Sequence, residues 1–226
     1  MNLFFFGVYP YLAGTIFLLG SIFRYEREQD GWTSYSSQLL ASKRYMLWAS
    51  NLWHVGILLL FLGHFVGMLT PFWEWLGVGV LVHEWIAMVA GITFGIVAMI
   101  GGTLLLLRRY LNSRVRANTR FNDLVVLIWI LITLLLGLGT EYITIPALLH
   151  GNTAIMSNLE AYVQSIATFR PDPAQLNAIP WIFKVHILFG MTVFLIFPFT
   201  RLVHIWTVPL NYLVRRYQIV RARRMA

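Results

Sequence analysis

The sequence predicts an all-α, polytopic membrane protein with five transmembrane helices, from its composition, its apolar runs and the placement of its basic residues. Of 226 residues, 58% are hydrophobic and only 12% are charged, and the mean hydropathy is +0.69. A typical soluble domain has about 25% charged residues. Because so few charges cannot cover the surface of a water-soluble body of this size, we predict that the chain resides in a cell membrane.

Five apolar stretches are long enough to span a bilayer, which takes about 20 residues of helix. They lie at about residues 3–23, 46–69, 80–107, 124–149 and 179–206. Together they predict a single five-helix domain over residues 1–226, ending in a cytoplasmic tail at 207–226.

Each span has its own pattern of polar residues. The first carries no charge, and the second ends at the turn-forming pair Thr70 and Pro71. The third has His83 and Glu84 in its first turns, and the fourth contains one acid, Glu141. The loop that follows, residues 151–177, contains a short amphipathic helix predicted around residues 155–167.

The basic residues predict the orientation, because cytoplasmic loops carry an excess of Lys and Arg. Of 17 such residues, 15 follow the first or third span or lie at and beyond the end of the fifth, where the chain is on one side of the membrane. They are Arg24, Arg27, Lys43, Arg44, Arg108, Arg109, Arg114, Arg116, Arg120, Arg201, Arg215, Arg216, Arg221, Arg223 and Arg224. The N-terminus is therefore predicted outside and the C-terminus in the cytoplasm. Since this placement accounts for the net charge of +8, no nucleic-acid partner is expected.

Four of the six histidines lie inside the spans, two on the second and two on the fifth. An ionisable side chain in hydrocarbon is costly unless it is paired, and such residues are usually functional. The second and fifth spans run in opposite directions across the membrane. Their packing predicts two pairs, with His64 and His186 near the outer face and His54 and His204 near the inner face.

Two facing imidazoles without a thiolate or acid beside them suit the axial positions of a six-coordinate haem b. Zinc needs four ligands on one ion at about 2 Å, whereas the two pairs are separated by about 15 Å along the second span. Two b haems are therefore favoured over zinc. Four glycines close in sequence, Gly56, Gly63, Gly67 and Gly190, leave room for a flat macrocycle, although small residues also serve plain helix packing.

The spacing of the histidines differs between the two spans. His54 and His64 are 10 residues apart, a rise of about 15 Å, whereas 18 residues separate His186 and His204, a rise of about 27 Å. Helix tilt, or a kink at Pro198, would bring both pairs into register.

Four runs around these residues resemble a single family. They are YPYLAG at 9–14, SNLWHVGILLLFLGHFVGMLTP at 50–71, RRYLNSRVRA at 108–117 and FKVHILFGMTVFLIFPFTRLVHIWTVPLNYLVRRYQIVRAR at 183–223. The runs closely resemble the gamma subunits of respiratory nitrate reductases, which are diheme cytochromes b, and the resemblance covers nearly the whole chain. That family has five spans and an external N-terminus, in agreement with the predictions from charge and depth.

The resemblance implies roles for individual residues. His64 and His186 would be the axial ligands of the outer haem, and His54 and His204 those of the inner haem. Arg109 is similar to the arginine that meets a propionate of the inner haem, and an arginine can hold a carboxylate through two hydrogen bonds.

The resemblance also implies a reaction and partners. The family oxidises a membrane quinol near the outer haem, and electrons pass through both haems to an iron–sulfur (beta) subunit on the cytoplasmic face. A molybdenum-containing (alpha) subunit then reduces nitrate. The present chain has no cysteine with which to hold an iron–sulfur cluster, so quinol oxidation and electron transfer would be its own share of the reaction.

The candidate quinol-site residues are His64, Gly67, His83 and Glu84. The family has a lysine at the position of His83, and an imidazole, which titrates near neutral pH, can accept a quinol proton. An interfacial histidine facing water is the alternative interpretation of His83. Glu141 is either part of a proton exit path or an acid at the membrane interface.

Two other functions are compatible with these residues. One is the cytochrome b subunit of another quinone-linked complex, of the formate dehydrogenase or heterodisulfide reductase type. The other is a non-redox membrane transporter, which would lack the optical spectrum of b haems.

Overall fold

The computed structural model describes residues 3–27, 43–70 and 72–207, and within these ranges the chain contains helices and no β-strand. The helices are α1 (Tyr9–Arg27), α2 (Lys43–His64), α3 (Phe72–Trp75), α4 (Val80–Leu111), α5 (Ser113–Ala117), α6 (Phe121–Leu149), α7 (Ala154–Ala167) and α8 (Trp181–Ile196). A π-helical turn precedes α1 at Phe4–Val8 and another follows α2 at Phe65–Leu69. Turns of 3₁₀ helix lie at Pro173–Leu176, Phe197–Phe199 and Arg201–Thr207.

Five helical segments are long and apolar enough to cross a membrane, which confirms the predicted fold class. They are Phe4–Arg27, Arg44–Leu69, Val80–Leu111, Phe121–Leu149 and Trp181–Phe199. Their boundaries lie within a few residues of the prediction except at the end of the fifth span. The predicted tail lies outside the described residues from residue 208 onward, together with the basic residues that it carries.

The spans pack side by side in the order α2, α4, α6, α8 and α1. Close approach of α2 and α4 depends on glycine, because a Cβ at Gly56 would lie 2.5 Å from the backbone nitrogen of Ala98. Of the two roles considered for the glycines near the histidines, Gly56 therefore has that of helix packing. Within the described residues, α2 and α8 do not pack closely along their lengths. They approach each other through the rings of Phe61 with Phe194 and of His64 with His186.

The helices leave two chemically different ends. The end called here the basic end carries Arg24, Arg108, Arg109 and Arg201. The opposite end, called the α7 end, consists of α3, α7 and the first turns of α4 and α8.

The amphipathic helix predicted at 155–167 is confirmed as α7, and its apolar face is docked on the bundle. Leu159 and Tyr162 are buried in a cluster with Phe6 and Phe183. The Tyr162 hydroxyl also donates a hydrogen bond to the Phe6 carbonyl at 3.0 Å. Helix α7 therefore has a fixed position against α1 and α8.

The fifth span, predicted at about residues 179–206, is not one helix, because α8 ends at Ile196. Pro198 has no N–H to donate, and its ring clashes with the carbonyl of the preceding turn, so it breaks a helix. Thr200 is extended, and the chain restarts as the 3₁₀ turn that carries His204. The bend anticipated at Pro198 is thus a complete interruption.

Arg24 stabilises this interruption from α1. Its Nη1 donates hydrogen bonds to the carbonyls of Pro198 and Thr200, both at 2.7 Å. Gly20, one turn earlier on α1, lets the proline pack closely, since a Cβ there would lie 2.7 Å from Pro198 Cγ. The carbonyls released by the break are therefore satisfied by a charged donor instead of being left bare in the membrane.

Candidate functional site

The structure brings the four intramembrane histidines together as two pairs between α2 and the chain segment that begins with α8. The ring centroids of His64 and His186 are 6.2 Å apart, towards the α7 end. Those of His54 and His204 are also 6.2 Å apart, towards the basic end. These are the partners expected from helix direction and depth.

Each of the four rings is oriented in the same way, by a hydrogen bond from Nδ1 to a backbone carbonyl. On α2, His54 donates to Ser50 at 2.7 Å and His64 donates to Leu60 at 2.8 Å. His186 donates across to Thr133 on α6 at 3.0 Å, and His204 donates to the carbonyl of Arg201. A carbonyl can only accept, so in each ring the proton lies on Nδ1, and the lone pair of the neutral imidazole is then on Nε2.

The distance between the rings fits a metal held from both sides. A bond from imidazole nitrogen to metal is about 2 Å. Two such bonds in line, with about 1 Å more from each nitrogen to its ring centre, separate the ring centres by about 6 Å. Both pairs, at 6.2 Å, match this spacing. The residues present therefore fit axial ligation of two haem irons.

The surroundings of the pairs also leave space for a flat cofactor. A Cβ built on Gly63 or on Gly190 would meet nothing within 4 Å, so both positions border open space. His54 and His64 lie on a face of α2 that no neighbouring helix covers in the described part of the chain. Of the glycines expected to make room, Gly63 and Gly190 fit that role.

The ring of His186 is fixed by α6. A Cβ at Gly137 would lie 2.9 Å from His186 Cε1, so only glycine permits this approach. One turn earlier on α6 is Thr133, whose carbonyl accepts the His186 hydrogen bond. Sequence reasoning missed Gly137 because it treated only the glycines on the histidine-bearing spans.

The ring of His204 is fixed through a buried acid on α6. Asp123 is only 4% exposed and forms an ion pair with Arg201, whose Nε lies 2.6 Å from Asp123 Oδ1. The backbone carbonyl of the same Arg201 accepts the bond from His204 Nδ1. Asp123 was also missed, although an acid in the first turn of an apolar span is an unusual feature of the sequence.

Arg109 lies at the basic end, half-buried, next to the same acid. Its Nη1 is 3.9 Å from Asp123 Oδ2 and donates to Thr119 Oγ1 at 3.3 Å. The guanidinium is thus held near the end of α4, on the side of the bundle where His54 and His204 meet. This position is compatible with the expected role towards a propionate.

A second group of buried polar residues lies at the α7 end, around His83. His83 is 5% exposed and its ring stacks on Trp73, with centroids 4.9 Å apart. Its Nδ1 lies 3.2 Å from Glu160 Oε1 on α7. The alternative of a histidine facing water is therefore wrong, because helix α7 and the segment before α4 cover the ring.

Of the residues named as candidates for a quinol site, Gly67 lies beside this ring, and Glu84 is buried next to His83 in the chain. Gly67 is buried, and a Cβ there would lie 3.4 Å from His83 Nε2. Glu84 is 2% exposed, and neither its Oε2 nor that of Glu141 has a hydrogen-bond partner among the described residues. Glu141 is thus partly buried beneath the α7 end and is not an ordinary surface acid.

Glu160 is the residue of this group that the sequence did not reveal. Burial, followed by the charges of Glu74 and Glu84, raises the pKa of Glu160 to about 7. A carboxyl group with this pKa can gain and lose a proton under physiological conditions. The only signal in the sequence was an acid on an otherwise uncharged amphipathic helix.

A multi-ligand metal site was the alternative to two separate pairs. Among residues 3–27, 43–70 and 72–207, no three His, Asp or Glu side chains come together in a way that would hold one metal ion. The described residues therefore offer no four-ligand zinc site of the kind weighed against haem.

Comparison with known proteins gives matches over nearly the whole chain. Residues 2–223 match the family described as nitrate reductase gamma subunit. The respiratory nitrate reductase 1 gamma chain of Escherichia coli is 47% identical, over 99% of this chain and 98% of its own length. The respiratory nitrate reductase 2 gamma chain of the same organism is 45% identical over the same shares. The nitrate reductase gamma chain of Bacillus subtilis is 35% identical over 96% of both chains.

Proposed function

The chain belongs to the nitrate reductase gamma subunit family, and on that premise we propose that it is the quinol-oxidising membrane subunit of a respiratory nitrate reductase. It holds two b haems and passes electrons from the outer to the inner face of the membrane. The observation that carries this proposal is the arrangement of the four histidines as two pairs, each with ring centroids 6.2 Å apart and with each Nδ1 hydrogen-bonded to a backbone carbonyl.

The chain itself supplies ligands, orientation and insulation. His64 and His186 would ligate one haem, and His54 and His204 the other. When bound, each haem supplies an iron that takes up and releases a single electron. The backbone carbonyls that accept from Nδ1 fix the tautomer and aim of every ligand, and Arg109 would pair with a propionate at the basic end.

The orientation follows from the charges at the two ends. Arg24, Arg108, Arg109 and Arg201 lie at the basic end, which would face the cytoplasm. The iron–sulfur (beta) subunit would dock there, with the molybdenum-containing (alpha) subunit beyond it. The α7 end would then face outwards, where protons released from quinol leave the membrane.

Quinol would bind at the α7 end, beside the haem of His64 and His186. Gly67, His83 and Glu84 lie just beyond His64 on that side, in a buried setting with unpaired polar atoms. A quinol hydroxyl would satisfy the lone pair of His83 Nε2, which otherwise costs free energy by being buried without a partner. The quinol would also be close to the ligand His64.

A test uses isolated membranes containing the complete complex. We expect duroquinol to produce a reduced-minus-oxidised spectrum of b haems, and nitrate to reverse it when the partner subunits are present. His83→Ala would leave the spectrum produced by dithionite unchanged but slow reduction by duroquinol.

The matched control is His150→Ala. His150 also donates from Nδ1 to a backbone carbonyl, Pro146, at 2.7 Å, but lies outside both pairs. This variant should behave like the wild type. Absence of a b-type spectrum, or the co-purification of a formate dehydrogenase or heterodisulfide reductase partner in place of nitrate reductase subunits, would contradict the proposal.

A further inference from the structure

Glu160 is the only acidic residue of α7, and it contacts the ring of His83. Its neighbours on the helix pack against the rest of the bundle. Leu159 and Tyr162 are buried in the cluster that joins α7 to α1 and α8. With the helix fixed in this way, the register of α7 sets Glu160 against the first turns of α4, and its side chain remains 21% exposed.

His83 is placed between two different environments. Its Nδ1 lies 3.2 Å from Glu160 Oε1, within ion-pair distance but without hydrogen-bond geometry. Its Nε2 is buried, has no hydrogen-bond partner among the described residues, and lies next to Gly67. The stacked ring of Trp73 restrains the imidazole plane. Nε2 is therefore available to a ligand, and Nδ1 lies beside the partly exposed carboxylate of Glu160.

We infer that His83 and Glu160 act together as the proton acceptor for quinol oxidation. This inference rests on the proposed function and adds Glu160 to its site. His83 Nε2 takes the proton of one quinol hydroxyl as that O–H bond breaks, and the proton on Nδ1 passes to the Glu160 carboxylate. Glu160 then releases it to the outer aqueous phase.

The electrons and protons balance in this scheme. Oxidation of one quinol to quinone yields two electrons and two protons. The two haems that the histidine pairs would hold would supply the one-electron acceptors, each taking up one of the two electrons. One proton leaves through His83 and Glu160, and the proton of the other hydroxyl is released directly to water.

The charges around Glu160 make proton transfer through His83 and Glu160 sensitive to pH. Glu74 on α3 and Glu84 on α4 are the charged groups that act on it, besides His83 itself, and Glu84 in turn interacts with Glu141 on α6. With the pKa of Glu160 at about 7, the carboxylate is protonated at lower pH and cannot accept a proton. The rate of quinol oxidation should therefore rise as the pH increases through about 7.

The test compares Glu160→Gln with Glu74→Gln in the complete complex, with duroquinol as substrate. Both variants remove one negative charge from the α7 end, but Glu74 is exposed and does not contact His83. We expect Glu160→Gln to lower kcat about tenfold, because His83 remains as a weaker acceptor, and to remove the rise near pH 7. Glu74→Gln should retain the plateau rate and move the rise to lower pH. Glu160→Asp should restore part of the rate.

Two spectroscopic measurements separate this role from a structural one. The dithionite-reduced spectrum should be the same in all variants, showing that both haems are in place. Difference infrared spectra across pH 7 should show a carboxylic acid band that Glu160→Gln removes and Glu74→Gln retains. A wild-type rate and pH profile in Glu160→Gln would overturn the inference while leaving the proposed function intact. If duroquinol does not reduce the wild-type protein, both fail together.

Discussion

At the scale of single residues, glycine decides where an imidazole can lie. The His186 ring lies directly against Gly137. A Cβ at position 137 would be 2.9 Å from His186 Cε1 and 3.4 Å from His186 Nδ1. The same Nδ1 donates to the Thr133 carbonyl at 3.0 Å. A displacement of the ring by a few tenths of an ångström would weaken that hydrogen bond. The position of one proposed haem ligand therefore depends on the absence of a side chain at Gly137.

We therefore expect Gly137→Ala to disturb the haem of His64 and His186 alone. Alanine stabilises a helix by up to about 1 kcal/mol relative to glycine. A disturbed haem in this variant would therefore result from the contact of the new methyl group with the His186 ring and not from a weaker helix. A potentiometric titration of the b-type spectrum should show one component shifted and the other unchanged. Gly14→Ala is the control, because a Cβ there meets nothing within 4 Å. Equal titrations for both variants and the wild type would show that the ring tolerates the methyl group.

At the scale of helices, the break after α8 brings His204 beside His54. Five helical turns separate His186 from His204 in an unbroken helix, which is about 12 Å more than the separation on α2. The interruption at Pro198 removes this mismatch, and Arg24 and Asp123 hold the new geometry from α1 and α6. The inner pair, whose histidines lie on the second and fifth spans, thus depends on two further spans as well.

Arg24→Ala should loosen the inner pair and spare the outer one. Hydrogen bonds from a charged donor contribute about 1.5–3 kcal/mol each, and this variant would leave the carbonyls of Pro198 and Thr200 without theirs. The b-haem content of the purified protein should fall by up to half. Arg27→Ala, which removes the same charge from an exposed position at the same end, should retain it. A similar loss in both variants would point to charge at the membrane face and not to these bonds.

Much of this arrangement follows from the sequence, and the remainder depends on tertiary contacts. The five spans and the two pairs could be predicted because apolar length and antiparallel direction fix depth. The partner of His83 could not, since Glu160 reaches it only through the docking of α7 by Tyr162. The role of Asp123 could not be predicted either. Asp123 binds the side chain of Arg201, and the backbone carbonyl of Arg201 contacts His204. Pro198 indicated a bend, but the sequence did not indicate that the helix stops there, nor that Arg24 of α1 donates to the carbonyls of Pro198 and Thr200.

At the scale of the whole molecule, the helices pack in sequence from α2 to α1 and leave the seam between α2 and α8 to the histidine pairs. Most of the surface of α2 is exposed in the described chain. Only 6% of the most apolar 18-residue stretch within Arg44–Leu69 is buried. Cofactors bound in that seam would cover part of this surface and join α2, the first member of the packing order, to α8, the fourth. We therefore expect haem binding to contribute to the stability of the whole bundle as well as to electron transfer.

The most direct test is the ratio of haem b to protein in purified histidine variants. The wild type should contain two haems per chain. The double variants His64→Ala with His186→Ala, and His54→Ala with His204→Ala, should each retain one haem, because each removes both ligands of a single iron. The double variant His54→Ala with His186→Ala should retain none. Retention of one haem in that last variant, or loss of both in either of the first two, would contradict the pairing of these residues around two irons.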